Sequence, residues 1–245
     1  MMAKKNILIT GGAKRVGAQC VRYLHAQGAN ILLHYRTSKD EAVALADELN
    51  SQRPDSVQIH QAELQNINPL QGLANAAEKA WGGVDVLVNN ASAFYATAMG
   101  EVTESQWDDL LGSNLKSPFF LIQALTPILE SRKGCVVNIV DIHAERGLEG
   151  YPVYSIAKAG LVALTKILAK ELAPQIRVNA VAPGAILWPD HDLTEQQKLE
   201  IQAKVALQCT GCPDDIAKAI AYLIYDAEYM TGQVMTIDGG RTLFS

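Results

Sequence analysis

What this chain of 245 residues lacks narrows it first. No stretch reaches the run of about 18 apolar residues that a membrane-spanning helix needs, so none is expected. The opening segment carries Lys4 and Lys5 but too short an apolar run for a secretory signal, and it reads better as a first strand. There are four cysteines, and Cys209 and Cys212 make a C-x-x-C pair, but no second ligand pair follows. A zinc or redox centre is therefore not expected, and a reducing, cytoplasmic location fits. No linker, repeat or low-complexity segment interrupts the chain. Charged residues make up 19% and the net charge is −5, which speaks against wholesale binding to nucleic acid or an anionic membrane. Hydrophobic residues at 49% exclude a disordered chain.

Acidic residues are also missing where they would be informative. Residues 1–40 hold Lys4, Lys5, Lys14, Arg15, Arg22, Arg36 and Lys39 against Asp40 alone. A local anion site explains this, although some of these side chains can simply be solvated surface.

Strand and helix patterns alternate along the rest of the chain. Short apolar strands are expected at Asn6–Thr10, Asn30–Tyr35, Val57–Gln61, Val84–Val88, Cys135–Val140, Ile176–Ala182 and Val234–Ile237. Helices are expected at Val16–Gln27, Asp40–Asn50, Pro69–Ala80, Glu104–Asn114, Pro118–Ser131, Val153–Leu172 and Asp214–Tyr225. Continuous apolar strands between amphipathic helices imply a parallel sheet covered on both faces. The fold class is therefore α/β, a doubly wound, Rossmann-like sheet spanning 1–245 as one domain. The polar insertion at 187–207, after Pro183-Gly184, is a candidate substrate lid.

The first βα turn reads Thr10-Gly11-Gly12-Ala13-Lys14-Arg15-Val16-Gly17. Glycines let backbone approach a pyrophosphate, and the following helix offers its N-terminal N–H groups. At the end of the second strand an NAD enzyme would place a carboxylate for the ribose 2′-hydroxyl. This chain has His34-Tyr35-Arg36-Thr37-Ser38 instead. Arg36 can pair with a 2′-phosphate and the two hydroxyls can donate to it, so NADPH is the expected cofactor. Further on, Tyr154 and Lys158 lie four apart on a helix and share a face. The lysine charge is expected to lower the phenol pKa.

With these motifs the sequence resembles the short-chain dehydrogenase/reductase family over nearly its whole length. Asn89-Asn90-Ala91-Ser92, Asn114, Arg177 to Gly184, Thr231-Gly232 and Asp238-Gly239-Gly240 match its ordered segments. There are two departures. Arg15 stands where a glycine is usual, and Asp141 stands thirteen residues before Tyr154, where a catalytic serine is usual. Lys14-Arg15, His34-Tyr35, Asn89 to Tyr95 and Val140-Asp141 are similar to the pteridine reductase subfamily, while Glu63 replaces the usual aspartate near the adenine.

The resemblance implies NADPH-dependent reduction of a dihydropterin, and of oxidised pterin or dihydrofolate as further substrates. It implies catalytic roles for Asp141, Tyr154, Lys158 and Asn114. Cofactor contacts are implied for Gly11, Arg15, Val16, His34, Tyr35, Arg36, Thr37, Ser38, Glu63, Leu64, Asn90, Ala91, Ser92, Asn114, Tyr154, Lys158, Pro183, Gly184 and Ile186. Substrate contacts are implied for Arg15, Ser92, Phe94, Asp141, Tyr154 and Trp188, with Phe94 as a stacking face for the flat ring. A homotetramer through Pro118–Ser131 and Val153–Leu172 is implied as well. No metal, nucleic acid or membrane partner is expected. A carbonyl reductase for 3-oxoacyl thioesters and a non-catalytic NADP(H)-binding regulator are the competing readings. Asp141 argues against the first, and the intact Asn114, Tyr154 and Lys158 argue against the second.

Overall fold

The computed structural model describes residues 4–188 and 194–244. Its centre is one seven-stranded, all-parallel sheet in the order β3-β2-β1-β4-β5-β6-β7. The strands are β1 (Asn6–Ile9), β2 (Asn30–Tyr35), β3 (Val57–Gln61), β4 (Val86–Asn89), β5 (Cys135–Ile139), β6 (Arg177–Pro183) and β7 (Val234–Ile237).

The strands are apolar at successive positions because helices cover both faces. Successive side chains on a strand point to opposite sides. Ile7, Ile9, Ile31 and Leu33 therefore enter one core, and Leu8 and Leu32 enter the other. The first core is closed by α1 (Arg15–Ala26), α2 (Lys39–Gln52) and α9 (Pro213–Tyr225), through Cys20, Leu24, Leu45 and Ile216. The second is closed by α3 (Ile67–Lys79), α5 (Ser117–Ser131) and α7 (Pro152–Glu171), through Leu73, Leu125 and Leu161. The alternation thus accounts for the doubly wound architecture read from the sequence.

Helix α7 is long and apolar enough to cross a membrane by length and composition, a match the run-of-apolar criterion did not anticipate. In the fold it lies against β6, with Val153, Leu161, Leu164 and Leu168 buried.

Strand β1 has β2 on one side and β4 on the other. The chain winds away in opposite directions from this point, which opens a crevice beyond the carboxyl ends of the two strands. The connection after β4 leads into α4 (Glu104–Leu111), which continues through a π-helical turn at Gly112–Lys116 directly into α5. The sequence expectation of one regular helix over Glu104–Asn114 misses this wide turn. Apolar periodicity marks a helical face but does not register a single extra residue in the winding. Two helices were not anticipated, α6 (His143–Arg146) and α8 (Glu195–Ala203). α6 is too short to show a period, and α8 has no buried residue to create one.

Candidate active site

The turn after β1 is shaped by close approach. Gly11 has φ +62°, and a Cβ there would lie 3.0 Å from the Ala91 Cα. A Cβ at Gly17 would lie 2.2 Å from the Gly11 carbonyl oxygen, so α1 packs onto the turn only without a side chain. Arg15 has φ 53°, the left-handed region that glycine favours. This costs roughly 1–2 kcal/mol in a residue with a Cβ and explains why glycine is the usual occupant. The Arg15 Nη2 donates to the Trp188 carbonyl at 2.8 Å, which carries the side chain across to the loop after β6.

Neighbouring polar side chains hold the turn in place. The Asn90 amide donates to the Thr10 and Gly11 carbonyls at 2.9 and 3.0 Å. The Thr10 hydroxyl accepts from the backbone N–H groups of Asn90 and Ala91, at 3.0 Å each. His34 is buried; its Nδ1 accepts from the Gly11 N–H at 3.2 Å, so its Nε2 donates to the Ala62 carbonyl at 3.0 Å. Burial pushes the imidazole down to about 4, so the ring is neutral, as this pair of bonds requires. Asn90 and His34 were read as cofactor contacts. They do border the groove, but their side chains are committed to supporting the turn.

A groove of about 390 Å³ runs from this turn along the ends of β2, β3 and β4. Gly11, Arg15, Val16, His34, Tyr35, Arg36, Thr37, Ser38, Glu63, Leu64, Asn90, Ala91, Ser92 and Phe94 all line it. Arg36 stands at its edge with Nη1 3.9 Å from the Glu63 carboxylate, both side chains substantially exposed. Such a contact contributes little, so the guanidinium can turn to a stronger anion at small cost. Ser38 sits at the N-terminus of α2 without using its hydroxyl as a cap. A close-approach glycine turn, a helix N-terminus and Arg36 with two hydroxyls fit a phosphorylated dinucleotide.

A second cavity, of about 330 Å³, adjoins the groove through Arg15 and Phe94. The Tyr154 hydroxyl donates to Asp141 Oδ2 at 2.8 Å. The other carboxylate oxygen accepts the His143 N–H at 2.8 Å. Burial, then the Asp141 charge and this hydrogen bond, push the phenol well above its ordinary value. This corrects the expectation that Lys158 lowers it. The Lys158 ammonium donates to the Ile139 carbonyl at 2.9 Å and lies 5.7 Å from the centre of the Tyr154 ring. It is itself pushed down to about 8 by burial, against the pull of Asp141. Phe94 stacks on Tyr151, with centroids 4.7 Å apart and planes 10° from parallel, and meets Tyr154 edge-on at 4.8 Å. One face of Phe94 is thus covered by Tyr151, and the ring remains 43% exposed.

Other predicted residues are placed differently. Asn114 is fully buried in the π turn. It accepts from the Ser92 hydroxyl at 2.6 Å and donates to the Ala93 and Leu110 carbonyls. It fixes the loop that carries Ser92 and Phe94, and it forms no hydrogen bond with Tyr154 or Lys158. Gly184 and Trp188 line the second cavity. Ile186 is in the core under α9, and Pro183 ends β6; neither lines either cavity. Of the lid expected at 187–207, positions 189–193 lie outside the described residues, α8 follows, and Ile201 lines the cavity. Cys212 precedes α9 as its N-cap, and Cys209 and Cys212 are free and exposed. Sequence reasoning missed Tyr151, His143 and Arg241 as cavity residues. Only Tyr151 left a signal, standing three positions before Tyr154 where a helical face would align them.

The family profile described as Enoyl-(Acyl carrier protein) reductase matches residues 11–242. The chain is 34% identical over 244 residues to a 3-oxoacyl-[acyl-carrier-protein] reductase of Staphylococcus aureus, covering 98% of this chain and 99% of the relative. It is 35% identical over 277 residues to pteridine reductase 1 of Leishmania tarentolae, covering 96% of each. It is also 35% identical over 246 residues to a probable galactose dehydrogenase of Rhizobium meliloti, covering 96% of this chain and 94% of the relative. Among solved structures, a blue fluorescent protein from a metagenomic library, in complex with NADPH, superposes with a TM-score of 0.91 at 34% identity, covering 97% of both chains.

Proposed function

The chain belongs to the short-chain dehydrogenase/reductase family of NAD(P)H-dependent oxidoreductases, and on that premise we propose that it is an NADPH-dependent reductase of pterin rings. Relatives acting on an acyl thioester, a pterin and a sugar stand at nearly equal identity, so overall similarity does not select the substrate. The observation that carries the reading is the 2.8 Å hydrogen bond from Tyr154 to Asp141. A carbonyl reductase uses a hydroxyl beside its tyrosine to donate to the substrate oxygen. An ionised carboxylate only accepts, which suits a ring edge presenting N–H groups. Phe94 supplies a flat apolar surface at the same cavity, and Arg15 supplies a cation.

The residues of the groove fit the cofactor, with Gly11 and the α1 N-terminus at the diphosphate and Arg36, Thr37 and Ser38 at the 2′-phosphate. Bound there, NADPH supplies the hydride. Tyr154, held protonated by its raised pKa, is the proton donor: its one O–H, which rests on Asp141 Oδ2, turns to the substrate nitrogen as the proton is transferred. Lys158 holds a buried positive charge behind the phenol. Asn114 keeps the Ser92–Phe94 loop in place. The exposed Phe119, Ile156 and Ile167 on α5 and α7 support assembly as a tetramer through these helices.

The test is NADPH oxidation with dihydrobiopterin and with an acetoacetyl thioester as alternative acceptors. The pterin should be reduced and the thioester poorly used. Asp141→Ser should lower pterin turnover and shift the balance toward the ketone. Ready turnover of the thioester with no reduction of any pterin or folate would make the chain a carbonyl reductase.

A further inference from the structure

The second cavity has a cationic end that the proposed chemistry does not use. Arg241, in the turn after β7, lines it half-buried. Its guanidinium forms no hydrogen bond or ion pair with any described residue. Arg146, at the end of α6, donates to the Arg241 carbonyl at 3.2 Å and so brings a second guanidinium close. Burial and then the Arg146 charge hold Arg241 below the ordinary arginine range, and the pull of Asp141 and Asp238 offsets this only in part.

Both carboxylates are bonded to neutral donors, and neither bonds to the Arg241 guanidinium. Asp141 accepts the Tyr154 hydroxyl and the His143 N–H. Asp238 accepts the N–H groups of Gly240 and Thr242 at 2.9 and 2.7 Å. The remaining titratable neighbour, His143, donates its Nδ1–H to the Gly147 carbonyl at 3.1 Å and brings no negative charge. A half-buried guanidinium whose donors have no bonded oxygen is unfavourable, and a planar fork of donors is suited to two oxygens of one anion.

We propose that this end of the cavity binds an anionic group, a carboxylate or a phosphate, on the side chain of the substrate, with Arg241 as its partner and Arg146 beside it. The proposal rests on the pterin reading, with the ring at Phe94 and Asp141. It selects pterins with an acidic tail over those with a neutral hydroxyalkyl chain.

Arg241→Gln is the test. The turn is held by the Asp238 carboxylate and not by the guanidinium, so the variant should fold, with an unchanged circular dichroism spectrum. Turnover is measured with dihydrofolate, with dihydroneopterin phosphate and with neutral dihydrobiopterin. The ratio of kcat/KM for an acidic to the neutral substrate should fall by roughly 10- to 100-fold, mostly through KM. A fall confined to dihydrofolate identifies a carboxylate site, and one confined to the phosphate ester a phosphate site. An equal change for all three substrates, or no change, overturns the proposal. If the wild-type protein reduces no pterin, the reading of function fails by itself. The anion site is then measured separately, by calorimetric titration of the NADPH-saturated protein with p-aminobenzoylglutamate and with inorganic phosphate. Binding that disappears in Arg241→Gln upholds the site, and an absence of binding to wild type removes it.

Discussion

The two cavities share Arg15 and Phe94 and are otherwise built in different ways. The groove is lined by short runs at the ends of β1 to β4, with a contribution from the turn before α5. Each run is a continuous stretch whose residues act together, so the chemistry of this half is local. The second cavity joins short segments after β5 (Asp141 to His143) and β6 (Gly184, Ala185, Leu187 and Trp188) to single residues of α7, α8 and the turn after β7. Its contacts exist only once the sheet has formed. On the proposed function, the first half serves any dinucleotide, and the second is where one substrate would be distinguished from another.

Separate substitutions should break one half and spare the other. The largest effect is expected from Tyr154→Phe, which should lower kcat by about 10²–10⁴-fold while NADPH affinity is largely retained. Near-normal turnover in single-turnover kinetics would remove the phenol from the chemistry. Next, Arg36→Ala should reduce the preference for NADPH over NADH by roughly 10- to 100-fold, with little change in KM for the acceptor at saturating cofactor. Steady-state kinetics with both nicotinamides measure this. Equal use of the two by wild type would show that Arg36 does not read the 2′-phosphate.

The smallest effect tests the support beneath the groove. His34→Leu strips partners from the Gly11 N–H and the Ala62 carbonyl and should destabilise the protein by about 1–3 kcal/mol in urea melts. It should also flatten a pH dependence. The folded imidazole is pushed down to about 4 from an ordinary 6.5, so the unfolded chain binds more protons between these values. The stability His34 contributes is complete above pH 6.5 and is lost as pH falls toward 4. A wild-type and variant pair with the same slope over that window would show that His34 does not titrate in this way.

Legibility in the sequence followed the same division. The strands could be read because burial on both faces leaves unbroken apolar runs such as Ile7, Leu8 and Ile9. The edges were less exact. β1 stops at Ile9, one residue early, and Thr10 turns its hydroxyl to the Asn90 and Ala91 N–H groups. The groove residues were legible because a phosphate turn and a ribose site each need several residue types in adjacent positions. Asp141 and Tyr154 were legible through spacing and resemblance. Arg241 was not, because nothing near it in sequence records that β7 returns it to the mouth of a cavity formed around β5. α8 could have been found only from its capping box, in which Thr194 and Gln197 bond reciprocally.

The π turn at Gly112–Lys116 makes this part of the protein sensitive to length as well as to identity. It accommodates one more residue per turn than an α-helix while the winding continues unbroken into α5. Deleting a single residue there would let the segment close to ordinary helix with the downstream phase nearly kept, because the wide turn already holds the extra residue. Leu121, Ile122 and Leu125 would stay toward the sheet, while Asn114, inside the turn, would lose its hold on the Ser92–Ala93 loop. A one-residue change of length is thus absorbed at the turn at the cost of the loop it anchors, whereas the same change inside α5 turns its apolar face by about 100° away from the sheet.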